Sequence, residues 1–85
     1  MYRISNSSAK EGDAYKSFSV YNCNDDVMAI VITDLYRDKE RLNAIHVLNE
    51  QCSLDEVLKA SRLKGYYIES YYVVDFPARN FFAIK

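Results

Sequence analysis

Residues 53–76 read S-L-D-E-V-L-K-A-S-R-L-K-G-Y-Y-I-E-S-Y-Y-V-V-D-F and contain the clearest structural signals of this 85-residue chain. The start, S-L-D-E, is typical of a capping box, in which Ser53 and Glu56 satisfy each other's backbone N–H donors. Apolar residues then recur at the spacing of one helical face, at Leu54, Val57 and Leu58. Gly65 follows, and glycine readily takes the left-handed conformation that terminates a helix. The pattern predicts a helix over about 53–64.

The tyrosine-rich remainder of this stretch predicts a strand over 66–76, because it combines aromatic and β-branched residues. Half of the chain's eight tyrosines lie there. Successive side chains of a strand point to opposite faces. We therefore expect one face to turn toward the helix and the core: Tyr66, Ile68, Ser70, Tyr72, Val74 and Phe76. We expect the other face to be exposed: Tyr67, Glu69, Tyr71, Val73 and Asp75.

The segment before the helix, 41–51, fits two structures. As a strand it places Ile45 and Val47 on either side of His46. As a helix it aligns Leu42, Ile45, Leu48 and Cys52 on one stripe. We favour the strand, because a helix here would meet the next N-cap at Ser53 with almost no linker.

The N-terminal half predicts further strands. Residues 27–36 contain the β-branched run A-I-V-I-T and are typical of a central strand that is buried on both faces. Before them, 2–5 and 15–21 predict a hairpin whose long polar loop, at about 6–13, is its most flexible part. The N-C-N-D-D run at 22–26 predicts a turn.

Together these elements predict one small α+β domain over 1–85. We expect a mainly antiparallel sheet of four to six strands, with one helix (about 53–64) packed on one face. Pro77 interrupts strand pairing. The segment after it therefore predicts either a short edge strand or a tail packed through Phe81, Phe82 and Ile84.

Composition excludes several classes of protein. The net charge of -1 gives no overall attraction to nucleic acid or membrane. The two cysteines, Cys23 and Cys52, have no partners at zinc-ligand spacing, so we expect reduced thiols. The first residues lack the apolar core of a signal peptide, and no apolar run is long enough to span a bilayer. We therefore expect a cytoplasmic protein without membrane contact.

Catalytic and metal-binding signals are weak. His46 is the only histidine and has no recognisable triad around it. Four aspartates, Asp25, Asp26, Asp34 and Asp38, match no calcium-binding loop. We predict no enzymatic activity, no metal site and no cofactor.

The exposed tyrosine face predicts a protein-binding role, because tyrosine buries a large area with few rotatable bonds and retains a hydroxyl. The expected contact residues are Tyr67, Glu69, Tyr71, Val73 and Arg79. We expect an inhibitor, adaptor or regulator that binds a protein partner, and a homodimer is one variant of this prediction. In composition the chain resembles accessory proteins of phages and mobile elements.

Three alternatives remain open. In the first, the rings of the tyrosine-rich segment only pair with cross-strand neighbours such as Tyr21, Tyr36 or Phe82. The same tyrosines can stack on the bases of single-stranded nucleic acid, which the carboxylate of Glu69 disfavours. A small enzyme that uses His46 is the third alternative.

Overall fold

The computed structural model describes residues 1–8 and 15–75. Five strands form one sheet, in the same order as in the chain. The first four strands are antiparallel to their neighbours, whereas the fifth runs parallel to the fourth. The elements are β1 (Arg3–Ile4), β2 (Tyr15–Tyr21), β3 (Val27–Tyr36), β4 (Lys39–Val47), α1 (Leu54–Leu63) and β5 (Tyr72–Val74). The predicted α+β class, with a mainly antiparallel sheet and one helix, is confirmed.

The parallel pair of β4 and β5 determines the direction of the helix. Parallel neighbours require a connection that returns along the sheet, and α1 lies within this connection. The helix therefore begins near the end of β4 and finishes near its start. As a consequence, the C-terminal end of α1 lies at the same end of the molecule as the β3–β4 turn.

The core lies between α1 and one face of the sheet. Alternate residues of β2, β3 and β4 point toward the helix, where Val57 packs against them. This buried cluster consists of Phe18, Val20, Ala29, Val31, Leu42, Ile45, Val47 and Val57. The opposite side of the sheet, here called the second face, takes the intervening residues. Ser17, Ile32 and Ala44 lie side by side there on three neighbouring strands.

Strand β4 confirms the favoured interpretation of 41–51. The strand extends from Lys39 to Val47 and pairs with β3 along its length. Leu48, which the helical alternative places on a buried stripe, is exposed. An irregularity between Ile32 and Thr33 inserts an extra residue, Asn43, into β4, and both Leu42 and Ile45 are consequently buried.

The predicted helix is confirmed, with one change at its start. The Ser53 hydroxyl accepts a hydrogen bond from the Glu56 backbone N–H at 3.4 Å, as a capping residue does. The Ser53 N–H, however, donates to the hydroxyl of Tyr2 at 2.9 Å. This donor is therefore satisfied by the residue that directly precedes β1. Gly65 follows the helix with a φ of 97°, in the left-handed region.

The expectation of one strand over 66–76 is wrong. Tyr67 forms a single parallel bridge with Arg41, the chain bends at Glu69, and regular pairing resumes only when Tyr72 lies beside Ala44. Between the Tyr67–Arg41 pair and the Tyr72–Ala44 pair, the segment after the helix thus contains more residues than β4 does. Side chains alternate between the two faces of a sheet only while the backbone is continuously extended. The residues beyond the bend therefore face the opposite side of the sheet from the one that the sequence predicts.

Some sequence predictions lie outside the described residues. These are the packing of Phe81, Phe82 and Ile84, the contact role of Arg79, and most of the loop at about 6–13. Within the described part of that loop, Ser8 pairs with Ser17 in an isolated antiparallel bridge.

Candidate partner-binding surface

Tyr66 anchors the segment that presents the tyrosines. Its ring stacks on that of Phe18, with centroids 4.8 Å apart, and its N–H donates to the Ser61 carbonyl at 3.1 Å. The expected core position of Tyr66 is therefore correct. Because the backbone is held on this side, the next residue must project toward the second face.

Tyr67 is held to β4 by two backbone hydrogen bonds. Its N–H donates to the Glu40 carbonyl and its carbonyl accepts from the Leu42 N–H, each at 2.9 Å. Its side chain lies on the same side as that of its bridge partner Arg41, and it is 36% exposed. The structure thus places Tyr67 at the surface, as the sequence predicts.

Tyr71 and Tyr72 exchange the positions expected for them. Tyr71 is partly buried and packs against the core cluster. Tyr72 is 75% exposed and lies beside Ala44 on the second face. The prediction that Tyr71 is exposed and Tyr72 buried is wrong, because the bend at Glu69 breaks the alternation between Tyr67 and β5.

Cations surround the tyrosines of this region. The Arg41 guanidinium lies 4.4 Å from the ring centroid of Tyr36, and the Lys39 ammonium lies 5.3 Å from that of Tyr67. We call Tyr36, Lys39, Arg41, Tyr67 and Tyr72 the tyrosine surface. Each of these contacts adds a cation–π attraction, which is about 0.5–1 kcal/mol at exposed sites.

Asp34 holds Arg41 in position on this surface. The Arg41 Nε and Nη2 atoms donate to the two carboxylate oxygens of Asp34 at 3.1 and 2.8 Å, and Asn43 donates to the same carboxylate at 3.3 Å. The hydrogen bond from Arg41 lowers the pKa of Asp34, and Asp34 in turn raises the pKa of Arg41. A two-pronged contact of this kind orients the guanidinium as well as neutralising it.

Strand β5 forms an exposed outer border of the described sheet. Its three residues, Tyr72, Val73 and Val74, are 75%, 38% and 42% exposed. Glu69 is also exposed, just before this strand. A shallow cavity of about 340 Å³ lies beside it, lined by Arg41, Asn43, Ser70, Tyr71 and Tyr72.

Three members of this surface, Tyr36, Lys39 and Arg41, are not among the contact residues that the sequence predicts. The sequence pattern indicates the position of these three residues only in part. In a two-residue hairpin Tyr36 pairs with Lys39, which brings 36, 39 and 41 to one face. The charged run from Arg37 to Glu40 contains no Gly, Pro or Asn, however, so the sequence did not indicate a tight turn.

The catalytic candidates do not form a site among the described residues. His46 lies between Ile30 and Val74 on the second face. Cys23 is exposed in the β2–β3 turn, whereas Cys52 is half-buried on the helix side. Burial, together with the charge of Asp75, raises the pKa of the Cys52 thiol and disfavours the reactive thiolate.

The four aspartates considered as metal ligands are dispersed. Asp25 and Asp26 belong to the β2–β3 turn, where the Asn22 side chain accepts hydrogen bonds from two backbone N–H groups. Asp34 pairs with Arg41, and Asp38 lies in the β3–β4 turn at the other end of the sheet. Across 1–8 and 15–75 no cluster of three or more potential metal ligands occurs.

Comparison of the chain with protein-family models, with curated proteins and with solved structures found no match. The one helix in the described part of the chain is too short and too polar to cross a membrane.

Proposed function

We propose that this chain is a small, non-enzymatic protein-binding module. It acts as an inhibitor, adaptor or regulator by occupying a partner protein through the tyrosine surface and strand β5. The observation that carries this proposal is the exposure of all three β5 residues beside Tyr67, at the border of the described sheet.

Exposed apolar and aromatic side chains at one place indicate a contact surface. Tyr72 exposes most of its ring on the second face, and Val74 on the same face exposes more than a third of its surface. Val73 faces the helix side of the same border strand and is exposed to a similar extent. Tyrosine and arginine are among the residue types most enriched at binding hot spots. A border strand also offers backbone groups with which a partner strand can pair.

Arg41 supports the proposal through its preorganisation. The Asp34 carboxylate fixes the guanidinium before any partner arrives. A side chain that is already ordered loses less conformational entropy on binding. Tyr36 and Arg41 therefore offer a rigid platform next to the more exposed Tyr72.

The proposal is tested by capture of partners from an extract of the producing cells, with wild-type protein compared with Tyr72→Ser. We expect the variant to lose at least about tenfold in affinity for the captured protein, as removal of a hot-spot residue does. Its stability should change little, because the Tyr72 ring is mostly exposed. Thermal unfolding of both proteins checks this second expectation.

Tyr15→Ser is the matched control. Tyr15 is also exposed, at 54%, but it lies on β2 beside Asp34, and β3 and β4 separate it from β5. Equal capture by wild type and Tyr72→Ser, or an equal loss in Tyr15→Ser, contradicts the proposal. Recovery of nucleic acid in place of a protein supports the alternative of single-strand binding.

A further inference from the structure

Charged residues separate along the strand direction in the described residues. One end of the molecule contains the β3–β4 turn and the C-terminus of α1, and it carries Arg37, Lys39, Arg62 and Lys64. The other end contains the β2–β3 turn and the start of α1, where one cation, Arg3, pairs with Asp25 at 2.6 Å. The carboxylates of this end are those of Asp25, Asp26, Glu50, Asp55 and Glu56. The near-neutral net charge therefore conceals a basic end and an acidic end.

Two of the carboxylates at the basic end pair with a cation there, whereas Asp38 belongs to no ion pair among the described residues. Asp34 pairs with Arg41 at 2.8 Å, and Glu40 lies 3.6 Å from Lys16. Arg37, Lys39 and Arg62 belong to no ion pair within 1–8 and 15–75. Lys39 and Arg62 line one open depression of about 620 Å³, together with Glu40 and Tyr67. These cations remain available to an anionic ligand.

The β3–β4 turn is strained in a way that its sequence does not favour. Arg37 and Asp38 form its two central residues, with φ values of 53° and 64°. Hairpins with positive φ at both positions strongly prefer Asn-Gly, because other residues pay a steric cost there. An arginine thus occupies the tip of the basic end despite that cost. Backbone strain of this kind clusters at binding sites and other functional sites.

The arrangement fits an acidic protein segment better than a nucleic acid. A cation already lies over Tyr36 and another over Tyr67, which competes with the stacking of bases on these rings. Asp38 and Glu40 also alternate with Arg37 and Lys39 along the chain. The phosphates of a nucleic acid are part of its backbone and would meet these carboxylates, whereas the flexible side chains of Asp and Glu can bring their carboxylates to individual cations.

We propose that the basic end docks an acidic segment of the partner protein, with Arg37, Lys39 and Arg62 as the cations that recognise its carboxylates. This inference rests on the proposed function, since Lys39 and Tyr67 join the basic end to the tyrosine surface. It specifies the chemistry of the partner, and it predicts fast, salt-dependent association.

The test uses a fluorescein-labelled oligoglutamate peptide and measures its binding by fluorescence anisotropy. We expect binding at low salt that weakens toward physiological salt, because screening reduces the attraction between exposed charges. Arg62→Glu and Lys39→Glu are each expected to weaken it about fivefold or more at low salt. Arg3→Glu is the matched control, since it makes the same charge change as Arg62→Glu at the opposite end of the sheet, and it should weaken binding less than about twofold.

The turn supplies a second, independent comparison. Asp38→Gly relieves strain and retains Arg37, so the melting temperature should rise without loss of peptide binding. The double variant Arg37→Asn/Asp38→Gly should melt about 4–8 °C higher than wild type and bind the peptide more weakly. This opposition between stability and binding is not expected if Arg37 has only a structural role.

Three results overturn the inference: no peptide binding at low salt, equal effects of Arg62→Glu and Arg3→Glu, or tighter binding of oligothymidylate than of oligoglutamate. If capture of the partner depends on Tyr72 but not on Arg62, the proposed function stands and only the docking of an acidic segment is rejected. Capture that is independent of Tyr72, with peptide binding as expected, rejects the role of the tyrosine surface.

Discussion

At the scale of single residues, Thr33 is the clearest exception to a well-satisfied core. It is 0% exposed, and its hydroxyl has no hydrogen-bond partner among the described residues. An unpaired buried hydroxyl costs about 1–3 kcal/mol. We therefore expect Thr33→Val, which retains the shape, to raise the free energy of unfolding by about 1 kcal/mol in denaturant titrations.

Ser61→Ala provides the comparison for this prediction. Ser61 is equally buried, but its hydroxyl donates to the Val57 carbonyl at 2.8 Å. We expect no stabilisation from its removal. If Thr33→Val is no more stable than wild type, the Thr33 hydroxyl has a partner in solution.

Asp34 makes the stability depend on acid pH. Its lowered pKa means that the ion pair with Arg41 stabilises the folded chain above the unfolded-state pKa, which is about 3.9. This stabilisation disappears as the pH falls through the lower, folded-state pKa. We expect Asp34→Asn to reduce the free energy of unfolding by about 1–2 kcal/mol at neutral pH, and this difference to shrink toward pH 2.

Denaturant titrations at several pH values measure this effect. Arg3→Gln is the control, because it removes an ion pair whose side chains are 58% and 76% exposed. Such a pair contributes less than about 1 kcal/mol. A constant difference between wild type and Asp34→Asn over the acid range would mean that Asp34 stabilises the chain by means other than its charge.

At the scale of elements, the start of α1 depends on a residue far away in sequence. The Tyr2 hydroxyl accepts the hydrogen bond of the Ser53 N–H and so joins the N-terminal segment to the helix. We expect Tyr2→Phe to lower the free energy of unfolding by about 1 kcal/mol, because this donor loses its acceptor. Tyr15→Phe, at an exposed tyrosine, should leave stability unchanged. Equal stability of the two variants would contradict a capping role for Tyr2.

The elements with local signals were the ones that could be predicted from sequence. The helix after Ser53 and the strand over 27–36 each follow from spacing and residue type within a short window. The strand after Gly65 did not follow, because its pairing depends on a neighbour. The irregularity in β4 and the bend at Glu69 are properties of two segments packed together.

At the scale of the whole molecule, the fold brings two distant basic segments together. The β3–β4 turn and the end of α1 meet because β4 and β5 are parallel and the helix returns between them. Lys39 and Arg62, which are distant in sequence, line one depression as a result. The separation into a basic end and an acidic end is not visible in the charge of either half of the sequence, because each half contributes residues to both ends of the molecule.

The sequence alone determined the fold class, the helix and its cap, the central strand, and the concentration of tyrosines after Gly65. These follow from local preferences and from the period of apolar residues. Only the tertiary structure decided that Tyr67 and Tyr72, rather than Tyr67 and Tyr71, share the second face, and that Tyr36 and Arg41 lie on it too. The reason is physical: alternation holds only while the backbone remains extended and paired, and the bend at Glu69 places Tyr67 and Tyr72 on the same face.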